Sequence, residues 1–137
     1  MGPSVRERCD AIEECYEFML AYAAQGVAGE AGSPNAGQLR TLLARAEEAL
    51  VGLAEAFGAA VADAGLAPAA PYQSFLAVLD RDARDSLAAV QLVLAQPAIS
   101  SQLVDNLNAS IHVRALLTDI FLIDEVLASH LRSAQAP

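Results

Sequence analysis

The chain has 137 residues, of which 55% are hydrophobic and only 5% aromatic. This length suits one domain with a hydrophobic core, and the abundance of Ala and Leu favours helices over strands. All eight basic residues are arginines and the formal net charge is −9. The clustered positive charge that nucleic acid or an anionic membrane surface requires is therefore missing, and neither is an expected partner.

The first predicted helix covers residues 4–25. Ser4 and Glu7 form a capping box at its start, and Gly26 is a suitable stop after its last turn. Its apolar side chains recur at alternating steps of four and three residues, which places them on one side of the helix. These are Val5, Cys9, Ile12, Tyr16, Met19 and Ala23. A second apolar strip, which includes Phe18, predicts that the C-terminal half is covered from two sides.

A predicted flexible loop follows at 26–37, where four glycines, a proline, an asparagine and a serine occur in twelve residues. The loop lacks the Lys-Ser/Thr ending of a phosphate-binding loop. Two long helices are predicted after it, at 38–64 and 72–95, each with a single apolar face. The short connection between them, 66–71, carries two prolines.

The segment from 99 to 132 changes the direction of its apolar face part-way along. From Val113 onward that face points about 150° away from the direction set by the residues up to Ile111. One straight helix with one buried face cannot satisfy both directions. We therefore predict a short helix at 101–108 and a separate one at 110–132. One long helix that changes packing partners is the alternative.

Together these elements predict an all-α fold: an antiparallel four-helix bundle with a short accessory helix before the C-terminal helix. The domain is expected to span 1–137, with a frayed tail at 133–137. More apolar side chains are present than one buried face per helix explains, which predicts a two-fold symmetric homodimer. The interface candidates are Phe18, Phe121, Leu122 and Asp124.

Asp124 lies within the apolar arc of the last predicted helix. A carboxylate in that position is costly to bury unless it is paired. We therefore expect Asp124 to lie at an interface or to bond an arginine or tyrosine from another helix.

The two cysteines, Cys9 and Cys15, are six residues apart, which turns them about 120° away from each other on a helix. This is not a redox-motif spacing. The first fifteen residues are charged and lack the apolar stretch of a secretory signal. The expected location is the cytoplasm, with both thiols free.

The sequence contains no recognisable catalytic motif, so an enzyme is the least favoured class of function. No Glu-x-x-His occurs, and His and Cys are too few for a zinc site, so no metal or cofactor is expected. Asp105, Asn108, His112 and Asp119 share one side of the 101–132 segment, and we interpret them as a solvated polar face. A metal or proton-relay site is the alternative for these residues. Side chains that could line a small apolar ligand in the core are Tyr16, Met19, Tyr22 and Phe57. A buried tyrosine hydroxyl requires a hydrogen-bond partner, which such a ligand could supply.

The favoured function is therefore that of a small acidic helical protein that acts through protein contacts, as a regulator or adaptor. The acidic face of the first helix, at positions 10, 13, 14 and 17, admits a basic protein partner. The alternative is a bundle that binds a small apolar ligand or cofactor in its core.

Overall fold

The computed structural model of the protein describes residues 4–135. Within that range the chain is all-helical, without strands. The six α-helices are α1 (Val5–Ala24), α2 (Ala36–Leu50), α3 (Leu53–Asp63), α4 (Ala69–Leu94), α5 (Ser101–Ala109) and α6 (Ile111–Gln135), and a 3₁₀ turn spans Glu30–Gly32. The all-α prediction is confirmed. The antiparallel four-helix arrangement stays a prediction.

Helix α1 begins and ends as its sequence predicts. The Ser4 hydroxyl accepts a hydrogen bond from the backbone N–H of Glu7 at 3.1 Å, which satisfies one of the free donors of the first turn. Gly26, two residues beyond the helix, has a φ of +65°, a backbone conformation that residues with a side chain rarely adopt. Residues close in sequence, Ser4 and Gly26, therefore determine where α1 begins and ends.

The prediction of one helix over 38–64 is wrong, because the chain breaks between α2 and α3. Gly52 has a φ of +76°, which ends α2 and starts α3 in a new direction. The guanidinium of Arg8, on α1, donates to the carbonyls of Ala49 at 3.0 Å and Val51 at 2.6 Å. Helix α2 has no basic residue in its own last turn, so Arg8 supplies the cation that complements its C-terminal dipole.

The predicted loop at 26–37 is held to the rest of the protein by hydrogen bonds. The backbone of Val27 exchanges two bonds of 2.9 Å with Ser101, one with its hydroxyl and one with its N–H. Glu30 accepts from Arg40 at 2.7 Å. Helix α2 already begins at Ala36, so the last two residues of the predicted loop are helical.

Arg40 acts at the end of α4 as Arg8 does at the end of α2. It donates to the carbonyls of Leu94 at 3.1 Å and Gln96 at 2.7 Å. Helix α4 also lacks a basic residue in its last turn. Two helix C-termini are thus capped by arginines from other helices. Helix α4 starts three residues before the predicted position 72, with Pro71 tolerated in its first turn.

The predicted break between the last two helices is confirmed. Ser110 has an extended backbone, with φ −62° and ψ 142°, and separates α5 from α6. Its hydroxyl accepts from the N–H of Val113 at 3.4 Å, and so helps to start α6. The predicted frayed tail at 133–137 is helical as far as Gln135, and its last two residues lie outside the described range.

A single hydrophobic cluster takes side chains from all six α-helices. The closest packing joins α1 to α2 and α5, joins α4 to α2 and α3, and joins α6 to α4. Helices α1 and α6 approach each other much less closely within the described range, and this leaves space between them. Helix α6 is therefore packed firmly on α4 and only loosely on α1.

Candidate functional site

Helix α6 is the element on which the candidate site is built, because it buries one face and exposes another. Val113, Leu116, Ile120 and Ile123 face the core. Asp124 is bonded to Arg6 of α1, with distances of 3.2 and 3.3 Å to its two carboxylate oxygens. This is the arginine partner that the sequence predicted as one of two alternatives for Asp124.

Two neighbouring apolar side chains of α6 are exposed to solvent. Phe121 is 57% exposed and Leu122 is 55% exposed. Successive residues of a helix point about 100° apart, so the two side chains face different directions. Phe121 lines a groove towards α1, whereas Leu122 lines a groove towards α4. The sequence grouped these residues as one interface, but the structure divides them between two surfaces.

The groove between α1 and α6 has a volume of about 660 Å³ and is named here the α1–α6 groove. Its apolar lining comes from Tyr16, Leu20, Leu117 and Phe121, and its polar lining from Glu13, Glu17, Arg114 and Thr118. Both glutamates lie on α1, on one side of the groove, and Arg114 lies on α6. The groove therefore combines an apolar floor with one acidic edge.

The groove between α4 and α6 is smaller, about 350 Å³, and is named here the α4–α6 face. Its lining consists of Pro71, Tyr72, Phe75, Leu122, Ile123 and Val126. None of these side chains is charged. The Tyr72 hydroxyl lies 3.5 Å from Nε2 of His130. This surface is thus apolar throughout, with one polar contact beside it.

Helices α4, α5 and α6 each carry a buried polar side chain, and these three, Ser86, Asn108 and Asp119, are named here the polar layer. Asp119 of α6 is only 7% exposed and faces Asp82 of α4. Burial, a hydrogen bond with the Asp82 carboxyl and the charge of Asp82 together raise the pKa of Asp119 from 3.8 to about 7. With a pKa of about 7, the Asp119 carboxyl keeps its proton through the mildly acidic range.

Several other polar atoms in this layer have no hydrogen-bond partner within the described residues. They are the Ser86 hydroxyl, both side-chain polar atoms of Asn108 and one carboxylate oxygen of Asp119. Asp85 and His112 approach to 3.9 Å nearby. The predicted solvated face is wrong for Asn108 and Asp119, because packing of α4 and α5 on α6 covers both side chains.

The four side chains predicted for a ligand in the core have separate surroundings. Tyr16 lines the α1–α6 groove, whereas Met19, Tyr22 and Phe57 are buried in the hydrophobic cluster. The Tyr22 hydroxyl donates to the carbonyl of Ile99 at 2.6 Å, so the protein already supplies the partner that a ligand was expected to provide.

The remaining predicted interface residue, Phe18, is half-buried against the core. Sequence reasoning missed Leu20 and Val126, which are exposed beside Phe121 and Leu122. It also placed Tyr72 and Phe75 wholly in the core. Their position on an apolar helical stripe gave no signal that they border a groove.

Both thiols are poorly suited to chemistry. Cys9 and Cys15 are buried and unpaired. Burial is the largest cause that raises the pKa of each to about 12, so both stay protonated at neutral pH. Among residues 4–135, His, Cys, Asp and Glu side chains form no group of three or more that is placed to hold a metal ion.

None of the helices in the described range combines the length and the apolar character that crossing a bilayer requires. No protein-family model, curated protein or solved structure matches this chain. Within the described residues, the features that bear on function are the two grooves beside α6 and the buried Asp119 with its half-buried neighbour Asp82.

Proposed function

We propose that this protein acts through protein–protein contacts, as a regulator or adaptor, and that it forms a homodimer through the α4–α6 face. The observation that carries the proposal is the exposure of Leu122 on a surface lined only by uncharged side chains. An exposed apolar surface of this kind is commonly covered by a partner. Burial of Leu122 and its neighbours would supply the free energy of association.

The distribution of charge favours a second copy at this surface. Each chain carries a net charge of −9, so two copies repel each other, and the repulsion is weakest where the contacting surfaces carry no charge. The α4–α6 face meets that condition. A two-fold interface also has to be self-complementary, since the same patch is used on both sides. Leu122 stands beside a hollow bordered by Tyr72 and Phe75, which can receive the Leu122 of the second copy.

The alternative function, a small apolar ligand bound in the core, has less support. Its main argument was an unsatisfied tyrosine hydroxyl, and Tyr22 has a partner in Ile99. We also propose that the protein is an antiparallel bundle and that it is located in the cytoplasm. The two unpaired, buried thiols are compatible with a reducing compartment.

Analytical ultracentrifugation of the purified chain tests the proposal. At micromolar concentration we expect a species of twice the 14.3 kDa of one chain. Leu122→Ser should raise the dimer dissociation constant at least about tenfold, because it puts a hydroxyl into an apolar interface. The side chain is half exposed, so the folded chain should tolerate the change, and circular dichroism checks this.

Leu92→Ser is the matched control, since Leu92 is 64% exposed on α4 and does not line the α4–α6 face. It should leave the dissociation constant unchanged. A monomer at micromolar concentration would overturn the homodimer. Equal effects of Leu92→Ser and Leu122→Ser on the dissociation constant would overturn its assignment to the α4–α6 face.

A further inference from the structure

The α1–α6 groove has a different chemistry from the α4–α6 face. Its floor is apolar, but Glu13 and Glu17 lie along its α1 edge. Within residues 4–135 neither glutamate belongs to an ion pair, whereas their neighbours Asp10 and Glu14 are paired with Arg6 and Arg45. Two carboxylates beside exposed apolar side chains are thus left available to an incoming cation.

We infer that this groove binds an amphipathic helix of another protein, with apolar residues on one face and lysine or arginine along one flank. The apolar face would pack on Tyr16, Leu20 and Phe121, and the basic flank would meet Glu13 and Glu17. The inference rests on the proposed function, action through protein contacts, and adds the kind of partner and the surface that it uses.

The dimensions of the groove fit two to three turns of a helix. Along α1 the lining runs from Glu13 to Leu20, which is about 10 Å at 1.5 Å per residue. Residues at i, i+3 or i+4, and i+7 of a partner helix would therefore reach the apolar floor. Arg114, which also lines the groove, favours an acidic side chain or the C-terminal end of the partner helix beside it.

The partial burial of Glu13 supports a basic partner. Burial is the largest cause that raises the pKa of Glu13. The charge of Arg6 lowers this pKa, the carboxylates of Asp10, Asp124 and Glu17 raise it, and the net direction is upward. The carboxylate is therefore held in an environment that disfavours its charge. A lysine or arginine placed opposite would offset this environment.

Other occupants fit this groove less well. A second copy of the chain has no lysine, and its eight arginines are spread over several helices, so it offers no basic flank. An anionic lipid surface would be repelled by Glu13 and Glu17.

Selection from a peptide display library tests the inference. The probes are helical peptides of about 16 residues, with leucine fixed on one face and all other positions random. Selection uses the wild-type chain, with Phe121→Ser as the counter-selection. We expect enriched peptides to carry more Lys and Arg than Asp and Glu on one flank. Enriched peptides without a basic bias, or an absence of enrichment, would overturn the inference.

Fluorescence anisotropy with one selected peptide then tests the charges directly. Glu13→Gln combined with Glu17→Gln should weaken binding about fivefold to thirtyfold at low salt, and the difference should shrink as salt rises. The matched control, Glu55→Gln with Asp63→Asn on α3, removes the same charge elsewhere and should weaken binding much less. Equal losses in the two double variants would show that only net charge matters and would overturn the assignment of the groove.

Leu122→Ser separates this inference from the homodimer. It lies outside the α1–α6 groove, so peptide binding should persist even where dimerisation is lost. Phe121→Ser should weaken peptide binding at least about tenfold. Loss of peptide binding in Leu122→Ser would mean that the groove is not an independent surface.

Discussion

Replacing Asp119 by asparagine should stabilise the protein above neutral pH. The pKa of Asp119 is raised from 3.8 to about 7, so the folded state holds a proton that the unfolded state releases at a much lower pH. Stability from this group is therefore fully present below about pH 4, falls as pH rises, and is lost above about pH 7. Asparagine resembles the protonated acid and can donate to Asp82 at every pH.

The magnitude follows from the size of the pKa change. Each pKa unit corresponds to about 1.36 kcal/mol, so a change of about three units sets a ceiling of about 4 kcal/mol. Asp82 is only half-buried, and water that reaches it screens the pair. We therefore expect wild type to lose about 1–2 kcal/mol of unfolding free energy between about pH 5 and about pH 8 through this pair.

Urea denaturation of wild type and Asp119→Asn over that pH range measures the effect. Asp82 on α4 is the charged group that acts on Asp119. Asp85 of α4 and His112 of α6 contact each other at 3.9 Å. They are common to both proteins, so the difference in pH slope isolates Asp119. Equal slopes, or a less stable variant at about pH 8, would refute the raised pKa of Asp119.

The other predictions concern the helix ends and the core, and equilibrium unfolding measures each. Gly52→Ala should destabilise by about 1 kcal/mol because of its φ of +76°, whereas Gly58→Ala, with its nearest contact an ordinary 3.7 Å, should stabilise by about 0.5–1 kcal/mol. Changes of the same sign would contradict the helix break. Arg8→Met should cost about 1–2 kcal/mol, and Arg84→Met, from an exposed pair, much less. Tyr22→Phe should cost about 1 kcal/mol, and unchanged stability would argue against its buried hydrogen bond.

The two helix breaks show what local sequence can and cannot predict. The break at Ser110 was predictable because the apolar face changes direction there, which one straight helix cannot accommodate. No such change occurs at Gly52, since Leu53, Phe57 and Val61 continue the apolar face of the preceding helix. The arginine that caps α2 is Arg8 of α1, which is distant in sequence, and no local sequence pattern predicts this contact.

The candidate site was predictable only in part, for a similar reason. The surplus apolar residues of α6 were evident from the sequence, and Asp124 could be expected to find an arginine. Whether Phe121 and Leu122 belong to one surface or two depends on which helices flank α6, which is a tertiary property. The carboxyl pair was missed because Asp82 and Asp119 each look like ordinary surface residues until α4 and α6 are brought together.

A crossed comparison of Phe121→Ser and Leu122→Ser tests most directly the claim that α6 presents two independent surfaces. Each variant is measured for self-association by sedimentation and for binding of the selected basic peptide by anisotropy. If the two surfaces are independent, Leu122→Ser abolishes dimerisation and retains peptide binding, whereas Phe121→Ser retains dimerisation and abolishes peptide binding. Two folded variants that lose both properties together, or keep both, would contradict it.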